Sequence, residues 1–211
     1  ADGTMFNKVS PLQADETPVA LVALPAQRST LPGETCILTV TRGGMIKKSA
    51  VSDLPGPSAQ TFRMVNVNEG DSLGWVCLTD GKKELLLATA QGMAIRFSEE
   101  EVRAMGLAAA GVNGIKLGVG DEVIGAQVLP AAGEIFLLAS DGKAKSVEQK
   151  DFPAQGRYGK GVIAWELPAR VFLAGLASGK ANTIITIHLV KAAPKMSRLD
   201  AAPLRKRSAV R

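Results

Sequence analysis

Three glycines, Gly44, Gly92 and Gly142, stand 48 and then 50 residues apart, and each sits between a continuous apolar run and a second strand-like run. Aligned on them, Glu34–Ser49 (ETCILTVTRGGMIKKS), Lys83–Phe97 (KELLLATAQGMAIRF) and Gly133–Val147 (GEIFLLASDGKAKSV) are copies of one unit. A second landmark recurs downstream in VNVNEGDSLGWV and IKLGVGDEVIGA, where Asp71 and Asp121 are 50 residues apart. In the third copy, IAWELPARVFLA, the same register puts Pro168-Ala169 in place of Gly-Asp. The ends read as partial units. DGTMFNKV matches a turn and outgoing strand with Gly3 at the turn, and PVALVAL matches the strand after the Gly-Asp landmark. NTIITIHLVKAAPKM matches an incoming strand with Lys191 at the turn position.

Each unit reads as strands. CILTV, LLLAT and IFLLA are short apolar runs bounded by turn residues, as expected for strands buried on both faces. VNVNEGDSLGWV and IKLGVGDEVIGAQV read as strand pairs joined by a Gly-Asp turn, whose carboxylate accepts a local backbone hydrogen bond. Ser98–Gly111 is the one helix candidate, with Ser98 and Glu101 spaced as a capping box. Four-stranded units of this length, repeated with part-units at both ends, predict an all-β, propeller-like fold of four or five blades. The expected division is a single domain over 1–190, with a part-blade at 1–32, blades at 33–81, 82–131 and 132–179, and a part-blade from 180. Residues 191–211 are expected to hold a last strand and a flexible basic tail.

The formal net charge is +5, but Lys191–Arg211 carries seven Lys/Arg and one Asp, which leaves the first 190 residues at −1. Global charge therefore describes the tail, and an argument for a polyanionic partner in the body rests on local clustering. Cys36 and Cys77 lie in apolar runs without a second Cys or a His at metal-ligand spacing, which predicts buried free thiols and a cytoplasmic protein. No apolar run approaches the ~18 residues of a membrane span. ADGTMFNKV has no secretion-signal pattern, and the missing initiator Met suits a fragment with an upstream start. There is no paired-carboxylate site, no nucleophile beside a base and no phosphate-binding GxxxxGK[ST], so neither a catalytic centre nor a cofactor nor a metal is expected.

The chemistry concentrates in the third unit. A Lys-x-Lys pair, Lys143 and Lys145, is followed by the loop Gln155-Gly156-Arg157-Tyr158-Gly159-Lys160-Gly161. An apolar strand, a T/S-x-G turn, a K/R-rich strand and R-x-G-K-G-V together resemble the C-terminal domain found in the GyrA-type polypeptide of bacterial DNA gyrase and in its homologue in topoisomerase IV. The resemblance spans essentially the whole chain and is clearest over Glu34–Val162. It implies a β-pinwheel, a propeller-like disc whose blades exchange strands and whose basic outer rim bends duplex DNA. The parent would be an ATP-dependent type IIA topoisomerase. Its breakage-reunion domain, in the same polypeptide, and its ATPase subunit would be the protein partners, at the nucleoid and with no membrane. Gln155, Arg157, Gly159, Lys160 and Gly161 match the seven-residue box of the gyrase family, whereas Gly156 stands where a basic residue is usual and Tyr158 where a glycine is usual. Two readings stand for the loop: a true gyrase box, or else an ordinary blade loop or a degenerate box of the topoisomerase IV kind.

Lys and Arg on a curved rim release counterions from phosphates, and glycines let backbone N–H groups approach them closely. The candidates are Arg42, Lys47 and Lys48 in the first copy and Arg96 in the second. The third copy supplies Lys143, Lys145, Gln155, Arg157, Tyr158, Gly159, Lys160 and Gly161, and Lys195 and Arg198 continue the series. Taken singly, each cation reads first as a solvated surface group; the repeat register and the resemblance favour DNA contact for the set. The acidic run Glu99-Glu100-Glu101 marks the second unit as the one turned away from DNA. Trp75, Trp165 and His188 read as core, and Tyr158 as a residue that stacks on the DNA backbone or braces the loop. The rival reading is a stand-alone propeller that binds a protein or small ligand, with an incidental basic tail.

Overall fold

The computed structural model describes residues 3–8, 13, 15–56 and 61–208. Among these there is no α-helix; the elements are strands and 3-10 turns. The first sheet holds β1 (Cys36–Thr41), β2 (Met45–Ala50), β3 (Leu73–Thr79) and, from the next unit, β6 (Val112–Asn113), in the order β3-β1-β2-β6. The second holds β4 (Glu84–Thr89), β5 (Met93–Ser98), β7 (Val123–Leu129) and β10 (Val162–Ile163), in the order β7-β4-β5-β10. The third is β11-β8-β9, with β8 at Glu134–Ala139, β9 at Ala144–Glu148 and β11 at Leu173–Gly179. A two-stranded hairpin, β12 (Ile184–Ile187) with β13 (Lys195–Arg198), follows. Each unit thus donates its short strand to the blade before it. Parallel bridges at Lys48–Ala104, Arg96–Ala154 and Ser146–Leu204 repeat the donation, the last one on the third sheet.

The apolar runs are explained by this stacking. In β4, Leu85 and Leu87 enter a core shared with Leu38, Val40 and Ile46 of the first sheet. Leu86 and Ala88, on the opposite face, enter one shared with Ile135, Leu137 and Ala139 of the third. A strand between two neighbours has no solvent face, so alternation disappears and the sequence reads as a continuous run. Burial of each such leucine contributes about 1.5–3 kcal/mol. On β8, Phe136 turns the other way and meets Ile185, Leu199 and Ala202 of the last unit.

The hairpin turns are built alike. Gly44, Gly92 and Gly142 have φ of 82°, 85° and 85°, the left-handed region where a Cβ is penalised. The Asp71 carboxylate accepts from Gly43 N and Ser72 N, both at 2.7 Å, and Asp121 accepts from Gln91 N and Glu122 N at 2.9 Å. The landmark aspartates therefore tie their own turn to the hairpin turn of the same blade, a longer reach than a purely local bond.

Several sequence expectations are corrected. The pairs Thr41–Leu73, Thr89–Val123 and Ala139–Leu173 align Gly70, Gly120 and Arg170, all left-handed with φ of 76°, 68° and 67°. Arg170-Val171, not Pro168-Ala169, therefore takes the Gly-Asp place; no glycine marks it, so sequence alignment slipped by two. Ile184 pairs with Arg198 as Glu134 pairs with Glu148, which moves the last turn position from Lys191 to Ala192. The arms preceding the Gly-Asp turns, Val65–Asn68 and Ile115–Gly118, form no strand, and neither does PVALVAL. Of DGTMFNKV, Phe6–Lys8 forms a 3-10 turn, while Asp2 and Val9 lie outside the described residues. The helix candidate collapses to one 3-10 turn, Glu99–Glu101, with the Ser98 hydroxyl accepting from Glu100 N at 3.2 Å. Its chain is pulled away to pair with the first blade. Trp165 is core, Trp75 is half-buried, and His188 is exposed because β12 has no further strand over it among the described residues. Cys36 is a buried free thiol and Cys77 a half-buried one; burial raises the pKa of both.

The stretch expected as a flexible tail is docked as far as Arg207. Leu199 and Ala202 are buried, Ser146 N donates to Pro203 O at 3.0 Å, and Arg205 N donates to Ser146 O at 2.8 Å. Ala209–Arg211 lie outside the described residues.

Gly111 and Gly161 close the strand exchange, with φ of 97° and 77°; a Cβ on either would run into the carbonyl of Ile46 or Ala94. Gly161→Ala is expected to lower the unfolding free energy in urea by about 1–3 kcal/mol. Gly156→Ala, whose Cβ would find only Glu101 Oε2 at 4.0 Å, should stay within about 0.5 kcal/mol of the parent. Equal effects of the two would contradict the seam geometry.

Candidate nucleic-acid interface

Four of the cations expected on the rim are not available to a partner. Lys47 is 1% exposed, and its Nζ donates to Met64 O at 2.6 Å; desolvation lowers its pKa. Lys48 is buried, donates to Glu99 O at 3.1 Å and stands 3.9 Å from Glu99 Oε1. Arg96, at the equivalent position of the second blade, donates to Gln149 O at 3.1 Å and Phe152 O at 2.9 Å and pairs with Glu84 at 2.5 Å. Ser146 completes the series in the third blade, its hydroxyl donating to Leu199 O at 2.9 Å. Three different side chains thus satisfy the same carbonyl, that of the first residue in the following 3-10 turn. Lys145 is 3% exposed, donates to Arg207 O at 2.9 Å and lies 5.0 Å above the Trp165 ring.

The Gln155–Gly161 loop runs along β5, from Gln155 N donating to Arg96 O to the β10 pairing beside the second hairpin turn. Arg157 is half-buried. Its main-chain N donates to Glu101 Oε2 at 2.6 Å, and its guanidinium donates to Asn113 O at 2.5 Å and Glu101 O at 3.3 Å. In the last unit Arg207 repeats this, donating to Asp151 O at 3.1 Å and to Ile163 O. Each arginine therefore reaches from its own loop to the corresponding loop of the blade before, and Leu107 takes the place in the second unit, packed near Val51 and Leu54. Tyr158 adopts φ of 67° and is 47% exposed, its N–H donating to Gly114 O at 2.9 Å. A non-glycine residue there costs about 1–2 kcal/mol, which is the physical content of a glycine being usual at this place.

The exposed cations form a different set. Lys160 and Lys116 line one cleft of about 200 Å³ beside the second hairpin turn, and Lys116 N donates to Gly159 O at 2.9 Å. Arg205 and Lys206, in the loop of the last unit, are exposed. Lys143 and Lys195 are exposed on their hairpins, Arg42 pairs with Glu122 at 3.4 Å over Trp75, and Arg198 pairs with Asp200 at 3.0 Å. Lys116, Arg205 and Lys206 were missed in the sequence. The signal was present: the 50-residue period carries Gln155-Gly156-Arg157 onto Arg205-Lys206-Arg207. The basic residue absent at Gly156 is thus present one unit later, at Lys206.

Burial, with a smaller contribution from the charge of Arg207, lowers the Lys145 pKa to about 8 from 10.5. Between those two values the unfolded chain holds the proton more tightly than the folded one, so this residue makes stability rise as pH climbs from about 8 towards 10.5. Thermal unfolding of Lys145→Met across that range should show a flatter pH profile than the parent. Parallel profiles would mean that Lys145 is not the desolvated group.

The family described as DNA gyrase C-terminal domain, beta-propeller, matches residues 37–73, 83–130 and 133–178. The GyrA-type polypeptide of DNA gyrase from Salmonella typhimurium is 32% identical over 170 residues, covering 81% of this chain and 19% of that protein. Its counterpart from Pseudomonas aeruginosa is 37% identical over 134 residues, covering 63% and 14%. The chain therefore spans about a fifth or less of the length of these relatives. Among solved structures, the C-terminal domain of DNA topoisomerase IV superposes with a TM-score of 0.87 at 27% identity, covering 97% of this chain and 64% of that one. A DNA gyrase A C-terminal domain superposes at 0.66 with 18% identity, covering 83% and 58%, which shows a common fold. With its strand-exchanging blades and the match over most of its length, this chain belongs to the DNA gyrase C-terminal domain family of β-propellers.

Proposed function

We propose that this chain is a non-catalytic module of a bacterial type IIA topoisomerase that binds duplex DNA on its loop-bearing rim and bends it, presenting a segment for strand passage. The observation that carries this reading is the band of loops linked from blade to blade by Arg157 and Arg207, along which Lys116, Lys160, Arg205 and Lys206 are exposed to solvent. Phosphates along a bent duplex would meet these cations at several points on the band of loops. Bending a short site costs about 1–6 kcal/mol, so several such contacts share it. Sequence preference is weak, since contacts of this kind position the duplex without reading bases.

The reading also assigns roles to the other candidates. Arg157, Lys47, Lys48, Arg96 and Lys145 set the rim's shape and do not touch phosphate. The exposed Lys143 and Lys195 and the loosely paired Arg42 and Arg198 extend the contact to the hairpin turns, because exposed ion pairs hold by only about 0–1 kcal/mol and exchange readily for phosphate. The second unit's loop, Met105–Gly111, carries no cation, and beside it the exposed Glu100 and Glu101 outnumber the exposed Arg103, so DNA leaves the rim there. The parent enzyme's breakage-reunion domain and ATPase subunit supply the chemistry, at the nucleoid.

Titration of a linear duplex at several salt concentrations tests this. Lys116→Ala/Lys160→Ala is expected to make the slope of log K against log salt shallower by about 2. Lys47→Met should leave the slope unchanged while altering stability. Ligase closure of a small circle should show less bending for Arg205→Ala/Lys206→Ala. An unchanged slope and unchanged closure would remove the rim from consideration.

A further inference from the structure

The three acidic residues of the second unit part ways. Glu99 is buried in the seam, while Glu100 and Glu101 are exposed. Glu101 turns onto the Gln155–Gly161 loop, where its Oε2 accepts from the main-chain N of Arg157 at 2.6 Å. That is a short, charge-assisted bond to a backbone amide. The Arg157 guanidinium goes elsewhere, to Asn113 O at 2.5 Å and Glu101 O at 3.3 Å, and among the described residues no ion pair neutralises the Glu101 carboxylate. Gly156, whose Cβ would stand 4.0 Å from the same oxygen, offers it no charge. An anion is thus already seated, at the surface, on the loop that carries the exposed Lys160.

Length makes the contact particular to Glu101. The 3-10 turns that follow the second hairpin strands, Val51–Asp53, Glu99–Glu101, Gln149–Asp151 and Leu199–Ala201, end in Asp, Glu, Asp and Ala. Glu101 O accepts from Arg157 and Asp151 O from Arg207, so in both seams the last residue of the turn lies beside the returning loop. The Asp151 side chain, one methylene shorter, makes no bond to Arg207 N among the described residues, whereas the Glu101 side chain reaches Arg157 N. A backbone N–H in a glycine-bearing loop beside a fixed cation is a donor that a phosphate oxygen also takes.

We propose that the main-chain N–H of Arg157 is a phosphate seat and that the Glu101 carboxylate occupies it as an internal competitor of the duplex. This rests on the reading of the loop-bearing rim as a DNA-binding surface, and it adds the residue that sets how far the contact runs. With Glu101 in place the duplex is held at Lys116 and Lys160, gains nothing at Arg157 N, and meets a like charge there. Loss of the carboxylate frees one donor and removes one repulsion. The side-chain bonds by which Arg157 shapes the rim are kept, because their acceptors, Asn113 O and Glu101 O, are main-chain atoms.

Duplex titration over a salt series tests this. Glu101→Ala is expected to bind about threefold tighter or more and to steepen the slope of log K against log salt by about 1. Glu101→Gln, which keeps the length and a neutral acceptor, should fall between that variant and the parent. Glu100→Ala removes an equal charge from a side chain with no hydrogen bond to the loop among the described residues, and should keep the parent slope. The Arg157 amide resonance should shift with a short duplex in Glu101→Ala and stay in place in the parent. Weaker binding by Glu101→Ala overturns the proposal, since the carboxylate would then be bracing the loop for DNA. Equal gains in Glu100→Ala and Glu101→Ala overturn it as well, charge alone being the cause. Inorganic phosphate at constant ionic strength separates the seat from the DNA reading. An Arg157 amide of Glu101→Ala that answers phosphate in a chain that binds no duplex keeps the seat and removes the DNA reading; an amide that answers neither probe removes the seat.

Discussion

The contact on which the rest of the molecule depends is the donor that each second hairpin strand sends into the unit that follows. At Lys48, Arg96 and Ser146 an ammonium, a guanidinium and a hydroxyl each donate to the first carbonyl of the next 3-10 turn, beside a parallel bridge between the same two segments. Buried carbonyls need a partner, and leaving one unpaired costs about 1–3 kcal/mol, so the position is restricted to donors without being restricted to one residue type. Once that seam is set, the loop beyond it must run back along the earlier blade, and the glycine at its end must pass against that blade's backbone.

This constraint sorts the positive charge into two populations. On the second strands of the first three blades, Lys47, Lys48, Arg96 and Lys145 face the seam and are consumed by backbone carbonyls, whereas cations in the loops beyond the seam face water. Lys47 and Lys145 are buried deeply enough that desolvation lowers their pKa, and Lys145 also lies over Trp165. Arg157 and Arg207 bridge the two populations: they sit in the exposed loops yet spend their donors on the preceding loop. On the proposed DNA-binding reading, such a rim would have its shape fixed by buried groups and its affinity supplied by exposed ones, so the two properties could vary separately.

The seam also changes along the chain. Its first buried position is Glu99, then Gln149, then Leu199. Glu99 Oε2 accepts from the Thr79 hydroxyl at 2.5 Å while Oε1 has only Lys48 at 3.9 Å; the amide nitrogen of Gln149 donates to Pro130 O at 3.0 Å; Leu199 joins an apolar cluster. The seams thus pass from ionic to amide to hydrocarbon, and breaking the first would strand a buried charge, the costliest of the three failures.

The amino-acid sequence by itself determined the repeat, the all-β class and the burial of the hairpin strands, because a 50-residue period and continuous apolar runs between turn glycines admit few other packings. It also located the Gln155–Gly161 loop, and it showed that Gly156 and Tyr158 break the pattern. What only the tertiary structure decided was which cations are free. Lys47, Lys48 and Lys145 look in one dimension like surface charge following a turn, but strand exchange puts another segment over them. Arg205-Lys206-Arg207 looks like loose tail, but Leu199 and Ala202 anchor it to the third blade. The Arg170 turn was hidden for the complementary reason: a left-handed residue without glycine leaves no mark in the sequence. Exposure depends on which segment packs on which, and that is set by pairing between units some fifty residues apart, beyond the reach of any local pattern.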